Sequence, residues 1–355
     1  MPLFVKNPPA NKLLDVIDPF DPRFILAKNI QYQMPTISTF GDLSIATGKW
    51  YNSVLHPNGK IYCIPHNATQ ILEIDPINKT TSLFGNLSGA GKWYGGVLAP
   101  NGKIYGIPRN HTQVLEIDPI NKTTSTFGNF SGTNKWAGGV LAANGKIYGI
   151  PYNSNQILEI DPINKTTHLF GNLSGIDKWQ GSTLAPNGKI YGIPANSNQI
   201  LEIDPINKTT SLFGDLVGLN KYRGGVLAPN GKIYGIPMRS SQILEIDPIT
   251  HQTILFGDLS EVSELGVSQS GVLAPNGKIY GIPYNSNQIL EIDPINKTTH
   301  LFGNLVGSAK WLSGVLHPNG KIYGTPYDST QILEIDTHHI PKNPDMCLHP
   351  YFNKF

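Results

Sequence analysis

Carboxylate groups recur at a fixed place in this 355-residue chain. Paired carboxylates can share acid and base work, but only where unlike surroundings move their pKa values apart. Because the seven copies have like surroundings, we predict that these glutamates bond to backbone groups or to tyrosine hydroxyls between the repeats. They stand in the repeated segment Gln-Ile/Val-Leu-Glu-Ile-Asp, at Glu73, Glu116, Glu159, Glu202, Glu245, Glu291 and Glu334.

A cation next to an aromatic ring is the second recurrent feature. It is found at Lys49-Trp50, Lys92-Trp93, Lys135-Trp136, Lys178-Trp179, Lys221-Tyr222 and Lys310-Trp311. Neighbouring side chains of a strand point to opposite faces, so one member of each pair is predicted to wedge between repeats while the other faces the centre. Lysines that converge there repel one another unless an anion or a partner separates them, or water and salt screen them. The pairs are therefore candidate binding residues, with packing between repeats as the alternative for the tryptophans.

The most variable segments follow the second strand of each repeat. Their aromatic, amide, hydroxyl and cationic groups suit adaptable contacts with sugars, peptides or proteins, although the same residues are ordinary in loops. Before the sixth copy, Val267-Ser268 replaces Lys-Trp, and three extra residues lie around Glu261, Ser263 and Glu264. The candidate binding residues in the variable segments are His66, Arg109, His111, Tyr152, Arg239, Tyr284 and Tyr327.

The elements that must position these residues repeat with the tripeptide Asn-Gly-Lys. Its glycine recurs at 59, 102, 145, 188, 231, 277 and 320, with spacings of 43 residues except for one of 46. This period, with four short β-like runs in each copy, predicts the four-stranded blades of a β-propeller. Asn-Gly supplies the positive φ values of a tight A–B hairpin, and prolines end strands B and C. The A–B and C–D turns share one edge of the ring, the turn rim, and the D–A and B–C loops share the other, the loop rim.

The two ends of the repeat region complement each other. The seventh copy stops at Asp336 without a fourth strand, whereas residues 36–43 match a fourth strand that lacks the preceding three. We therefore predict an all-β, seven-bladed propeller of four-stranded antiparallel blades over residues 36–336, closed by residues 36–43 as the outer strand of blade seven. Residues 1–35 are predicted to form an N-terminal strap, and residues 337–355 a C-terminal tail.

Bulk composition limits the classes of function. The formal net charge of +2 provides no basic field for nucleic acid or anionic lipid, and no apolar run reaches membrane-spanning length. The start of the chain has no signal-peptide pattern, so we expect a cytoplasmic location, or a place in the virion if the protein is viral. Two cysteines exclude a disulfide framework, and the Asn-X-Ser/Thr segments are interpreted as turns.

Motifs for familiar cofactors are absent from the sequence. It contains no Cys/His spacing for zinc, no calcium loop, no phosphate-binding glycine loop and no Gly-X-Ser-X-Gly elbow. The pair His338-His339 in the predicted tail is a weak metal signal. We expect no cofactor.

The repeated blade sequence resembles known propellers. Gly-Lys-Ile-Tyr at 102–105 followed by Ile-Asp-Pro at 117–119 resembles the broad group of Vgb-, NHL- and SMP-30-like seven-bladed propellers. Together with Lys-Trp and Gly-Val-Leu-Ala-Pro-Asn-Gly-Lys-Ile-Tyr, these segments also resemble amplified repeat propellers of protists and large DNA viruses, over about residues 36–336. The first group includes streptogramin lyases and divalent-metal lactonases, so the resemblance allows an enzyme with its site in the axial funnel. Neither a lactonase metal set nor a lyase His/Glu set maps onto this chain.

Three functions follow as expectations. The first is a non-catalytic binding or scaffold propeller that presents its loop rim to a protein or glycan partner, and not to nucleic acid or a membrane. The second is a lyase or hydrolase that uses the blade-six loop with His66, Arg109 or His111. The third is a structural component of an assembly.

Overall fold

The computed structural model describes residues 34–261 and 268–338, and their strands form seven four-stranded antiparallel sheets. Each sheet is one blade, with the inner strand A first. Blades one and two contain β2 (Trp50–Leu55), β3 (Ile61–Pro65), β4 (Ile71–Asp75), β5 (Thr80–Phe84), and β6 (Trp93–Leu98), β7 (Ile104–Pro108), β8 (Val114–Asp118), β9 (Thr123–Phe127). Blades three and four contain β10 (Trp136–Leu141), β11 (Ile147–Pro151), β12 (Ile157–Asp161), β13 (Thr166–Phe170), and β14 (Trp179–Leu184), β15 (Ile190–Pro194), β16 (Ile200–Asp204), β17 (Thr209–Phe213). Blades five and six contain β18 (Tyr222–Leu227), β19 (Ile233–Pro237), β20 (Ile243–Ile246), β21 (Thr253–Phe256), and β22 (Ser268–Leu273), β23 (Ile279–Pro283), β24 (Ile289–Asp293), β25 (Thr298–Phe302). Blade seven contains β26 (Trp311–Leu316), β27 (Lys321–Pro326), β28 (Ile332–Asp336) and β1 (Thr36–Phe40).

The ring closes as the two ends of the repeat region predict. Strand β1 pairs with β28 in antiparallel register, with Thr36 opposite Asp336 and Phe40 opposite Ile332. Strand β2 packs against both β6 and β26, so blade one contacts blades two and seven. The seven-bladed, all-β prediction is confirmed, and β1 pairs the edge of β28 that would otherwise be open in blade seven.

The predicted strap over residues 1–35 and the tail over 337–355 lie almost wholly outside the described residues. The same holds for Ser263, Glu264 and most of the blade-six loop. Within the described ranges, no helix is long and apolar enough to cross a membrane.

Apolar cores lie between adjacent blades and not inside any single one. Val97 and Ile107 of blade two share one such core with Trp136 and Ile147 of blade three, and six further cores of the same kind join the other neighbours. Both faces of strands B and C are therefore covered, which explains their nearly continuous apolar sequence. Each blade is stabilised only when its neighbours are present.

The repeated glutamates bond to tyrosine hydroxyls at the turn rim, as predicted, but the tyrosine lies in the same blade and the bond to the next blade comes from a lysine. The hydroxyl of Tyr105 donates to Oε2 of Glu116 at 3.1 Å and lies 3.0 Å from the carbonyl oxygen of Pro162 in the next blade. Lys103 and Lys165, from the same and the next blade, lie 2.8 and 3.1 Å from Oε1 of Glu116. Burial opposes ionisation of Glu116, but these lysines outweigh it and hold its pKa below the usual value. The seven glutamates are only 1–5% exposed.

The two turns of the turn rim depend on local side-chain bonds. In the A–B turn only Gly102 adopts a positive φ, of 76°, whereas Asn101 accepts a hydrogen bond from the Lys103 amide at 3.1 Å. The expectation that Asn and Gly both supply positive φ values therefore holds for the glycine alone. In the C–D turn, Asp118 accepts bonds from the amide and the side chain of Asn121. The turn interpretation of this Asn-Lys-Thr segment agrees with these bonds.

Candidate functional site

The lysines of the Lys-Trp pairs lie inside the loop rim. The ammonium group of Lys178 donates to the carbonyl oxygens of Gly175, Ser154 and Tyr152 at 2.7, 2.9 and 3.1 Å. Each of the other five lysines donates to at least one loop carbonyl, and all six are 1–5% exposed. Burial lowers the pKa of Lys178 to about 8. These lysines connect the D–A loop to the B–C loop, so they do not converge on the axis as the sequence analysis allowed.

The aromatic residues that follow the lysines are also buried between blades. The indole N–H of Trp93 donates to the carbonyl oxygen of Gln113 at 2.9 Å, and the other four tryptophans make the equivalent bond. Tyr222 takes the same place in blade five and accepts a bond from Ser240 at 3.0 Å. Ser268 occupies it in blade six and is fully buried. Of the two roles open to the tryptophans, the structure shows packing.

The residue after each of these aromatic positions points to the axis. The first strand of every blade shifts register against the second at this point, as between Trp136 and Gly139, and such a bulge turns a side chain away from the regular alternation. Glycine permits the close approach of neighbouring bulges, because a Cβ on Gly181 would lie 2.6 Å from the Cα atom of Gly224. We call the seven residues the inner ring: Tyr51, Tyr94, Ala137, Gln180, Arg223, Gln269 and Leu312.

A second ring lies next to the first on the loop rim. Its members directly follow the proline that ends strand B in each blade. Tyr152 and Ala195 of this ring pack with Tyr51, Tyr94 and Leu312 in one apolar cluster. We call these seven residues the outer ring, and the two rings together the axial cluster: His66, Arg109, Tyr152, Ala195, Met238, Tyr284 and Tyr327.

Side chains from distant blades contact one another in the axial cluster. The ring centroids of Tyr51 and Tyr94 are 3.5 Å apart, and the amide of Gln180 donates to both hydroxyls, with 3.3 Å to that of Tyr51. The guanidinium of Arg109 lies 5.2 Å from the Tyr94 ring and 5.7 Å from the Tyr152 ring. Blades one to four thus meet at a single aromatic group, whose π faces attract the guanidinium.

At neutral pH the arginines are the charged groups of the described axial cluster. Burial, followed by the charge of Arg109, lowers the pKa of His66 to about 4, so its imidazole is neutral. Burial raises the pKa of Tyr94 and raises that of Tyr327 to about 12, so both phenols keep their protons. The cluster is therefore cationic and otherwise neutral.

A cavity of about 510 Å³ runs along the axis from the inner ring toward the A–B turns. Tyr51 and Gln269 line one end, and Pro57 and Pro100 line the other. Between them the wall consists mainly of glycine, valine, leucine and serine from the inner strands, and no carboxylate is among the lining residues of the described chain. The inner ring separates this cavity from the loop rim, because six of its seven side chains are at most 7% exposed.

The structure divides the residues that the sequence nominated. His66, Arg109, Tyr152, Tyr284 and Tyr327 come together in the axial cluster. His111 instead packs against Trp93, with ring centroids 4.4 Å apart and the rings tilted by 34°, and Arg239 is exposed on the B–C loop of blade five.

The inner ring was missed by the sequence analysis. A position-by-position comparison of the copies shows it, because the residue after Lys-Trp differs in almost every blade while its neighbours repeat. No group of three His, Cys, Asp or Glu side chains suited to a metal ion occurs in residues 34–261 and 268–338.

Comparison with known proteins supports the fold. No protein-family model and no curated protein matches the chain. A streptogramin B lyase structure aligns with a TM-score of 0.74 and 14% identity, over 85% of this chain and 97% of that one. A catalytically inactive variant of virginiamycin B lyase from Staphylococcus aureus, with quinupristin, aligns at 0.75 and 13%, over 85% and 99%. The extracellular domain assigned to a hybrid two component system from B. thetaiotaomicron aligns at 0.67 and 10%, over 86% and 43%. These likenesses confirm the resemblance to Vgb-like propellers at the level of the fold.

Proposed function

We propose that this chain is a non-catalytic binding propeller that holds part of a protein or glycan partner at its axial cluster. One observation carries the proposal: the copies are nearly identical in their strands and turns, yet differ at the two rings that meet on the axis. Seven equivalent blades need no such variety to pack. A partner that is not sevenfold symmetric does need unlike groups around it.

The chemistry of the axial cluster suits recognition. Tyrosine combines an apolar ring with a hydroxyl at low cost in conformational entropy, and glutamine and arginine add directional donors. Acid–base catalysis needs a positioned pair of titrating groups, and the described cluster offers a neutral imidazole and phenols that hold their protons. Binding is therefore favoured over turnover.

His66 favours a lyase or hydrolase as the second candidate. Its ring centroid lies 5.2 Å from that of Tyr51, and its buried Nδ1 has no hydrogen-bond partner among the described residues. A neutral imidazole beside a phenol can accept a proton from a substrate. The fold likeness to streptogramin and virginiamycin B lyases makes cyclic depsipeptides the first compounds to test.

Two substitutions test the binding proposal, and each introduces a residue that another blade already carries at the same position of the inner or outer ring. The double variant carries Tyr94→Ala and Arg109→Ala in blade two. Alanine already occupies the position of Tyr94 in blade three, as Ala137, and the position of Arg109 in blade four, as Ala195. Wild type and variant are compared on glycan arrays and peptide libraries, with thermal unfolding measured in parallel. We expect the wild type to bind a defined set of glycans or peptides. The variant should bind it at least about tenfold more weakly while still showing a cooperative unfolding transition above the assay temperature.

Two results would contradict the proposal. One is equal binding by wild type and variant. The other is turnover of a lactone or cyclic depsipeptide by the wild type that the variant lacks, which would establish the second candidate.

A further inference from the structure

Two arginines approach the axis from different parts of the ring. Arg109 belongs to the outer ring of blade two, and Arg223 belongs to the inner ring of blade five. Both guanidinium charges act on the hydroxyls of Tyr94 and Tyr152, where they oppose the rise in pKa that burial causes. Both positive charges therefore act on the same two phenols of the axial cluster.

Neither arginine has a carboxylate partner within the described residues, where no ion pair includes Arg109 or Arg223. Arg109 donates through Nε to the side chain of Asn134 at 2.8 Å, and Arg223 donates to Oε1 of Gln269. Asp328, on the same rim, accepts the amide of Gly48 at 2.6 Å. This contrasts with the turn rim, where lysine and glutamate charges are matched. Partial burial of a charge that has no ion-pair partner is unfavourable, so an anion beside the two guanidiniums would be stabilised.

Unsatisfied donors lie beside Arg223. Its Nε and the Nε2 of Gln269 are both buried and have no hydrogen-bond partner among the described residues, and neither can accept a hydrogen bond. The hydroxyl of Ser270, next along β22, is also buried without a partner. Buried donors are normally satisfied, and a buried donor without a partner destabilises the protein. A group that satisfies the Arg223 and Gln269 donors must therefore be an acceptor.

We propose that the axial cluster binds a small oxyanion, a carboxylate, sulfate or phosphate group, between Arg223 and Gln269, with Arg109 adding the second positive charge. This inference rests on the proposed binding function and names the group of the partner that the cluster recognises. Guanidinium groups suit planar or tetrahedral oxyanions because their N–H donors form a rigid fork. The two charges match a dianion, or a monoanion with a neutral remainder that contacts the tyrosines.

The test titrates the full-length protein with sodium phosphate, sodium sulfate and sodium acetate by calorimetry, against sodium chloride at matched ionic strength. We expect saturable binding of at least one oxyanion and none of chloride. The ranking of the three salts distinguishes a phosphate, a sulfate and a carboxylate group. Equal responses to all salts, chloride included, would overturn the inference.

Matched variants locate the site. Arg223→Gln gives blade five the glutamine that blades four and six carry at the same ring position, Gln180 and Gln269. We expect at least about tenfold weaker oxyanion binding, since one charge-assisted contact is lost. Arg239→Gln removes the same charge from the loop rim outside the axial cluster and should leave the affinity unchanged. Equal losses in both variants would reduce the effect to net charge and overturn the site.

A further variant keeps the test decisive if Arg223→Gln does not fold. Gln269→Leu gives blade six the leucine that blade seven carries at this ring position, Leu312. It removes the amide donor while both arginines remain. Weaker oxyanion binding by Gln269→Leu supports the site, and unchanged binding contradicts it. If no oxyanion binds while partner binding still depends on Tyr94 and Arg109, the inference fails and the proposed function stands. If partner binding is insensitive to Tyr94 and Arg109, the proposed function fails, whatever the salt titrations show.

Discussion

The turn rim and the axial cluster are built by the same seven blades, yet the copies behave in opposite ways at the two places. At the turn rim every blade contributes a Tyr and a Glu, and each carboxylate is paired with basic groups. At the axial cluster the equivalent positions hold tyrosine, glutamine, arginine, alanine and leucine, and two arginines lack a counter-charge among the described residues. Identical contacts between neighbouring blades hold the ring together. The different residues in the axial cluster make the seven blades non-equivalent around the axis.

This difference separates the causes of repetition and variation. A residue that bonds to the next blade is under the same geometric demand seven times, so Glu116 and Lys165 have counterparts around the ring. A residue on the axis contacts residues of several blades, as Gln180 of blade four does with Tyr51 and Tyr94 of blades one and two, and its neighbours are not equivalent. Repetition therefore marks the interfaces between blades, and variation marks the candidate site.

The largest expected effect concerns a repeated core position. Trp136→Ala removes a side chain that packs between blades two and three, and we expect a loss of about 3–5 kcal/mol in the free energy of unfolding because a cavity remains. Denaturant unfolding measures it. Trp136→Tyr is the matched control, since Tyr222 occupies this position in blade five, and its loss should be smaller. Equal stability of Trp136→Ala and wild type would show that the repeated tryptophans are not structural.

An intermediate effect concerns the turn rim at high pH. Burial, and the nearby Glu116, raise the pKa of Tyr105 to about 12, above its unfolded value of about 10. The stabilisation is therefore complete below about pH 10 and is lost as the pH rises through about 12, by about 1.4 kcal/mol per pH unit.

Tyr105→Phe isolates this titration, because the lysines of both proteins titrate alike. At neutral pH the variant should be less stable by about 1–3 kcal/mol, since the Glu116 and Pro162 oxygens lose a donor. The difference between wild type and variant should narrow between pH 10 and 12, as measured by denaturant unfolding. A constant difference would refute the role of this hydroxyl.

The smallest expected effect concerns the axial cluster. Gln180→Leu gives blade four the leucine that blade seven carries at this ring position, Leu312. The substitution removes the hydrogen bonds to Tyr51 and Tyr94. We expect a change in unfolding free energy of at most about 1.5 kcal/mol, because the net contribution of such bonds is small. Thermal unfolding checks it. A loss as large as that of Trp136→Ala would make the axial cluster part of the structural core.

Much of the fold can be predicted from the sequence because the same blade sequence occurs seven times. The period predicts the blade, and the orphan segment at 36–43 predicts the closing strand that pairs with Asp336 and its neighbours. The glutamates were assigned to bonds between blades on the argument that equivalent groups cannot do unlike chemistry. Each of these inferences compares copies within one chain, and each depends on local pattern.

The site was only half visible in this way. The variability of the B–C loops identifies His66, Arg109 and Tyr152 as candidate site residues. The repeated Lys-Trp pairs gave no indication that the residue after each tryptophan belongs to the site. Alternation along a strand predicts opposite faces for neighbours, and the bulge at the start of each inner strand breaks that alternation. The lysine side chains donate to loop carbonyls, and the residues after the tryptophans point to the axis.

The sequence by itself determined the number of blades, their strands, the closure of the ring and the structural role of the repeated glutamates, because these depend on short-range pattern and on equivalence among copies. Only the tertiary structure decided which variable residues meet. Arg109 and Arg223 are 114 positions apart and belong to blades two and five. Both belong to the axial cluster because closure of a seven-bladed ring brings the start of the first strand and the end of the second strand of every blade toward a common axis, where distance along the chain no longer separates them.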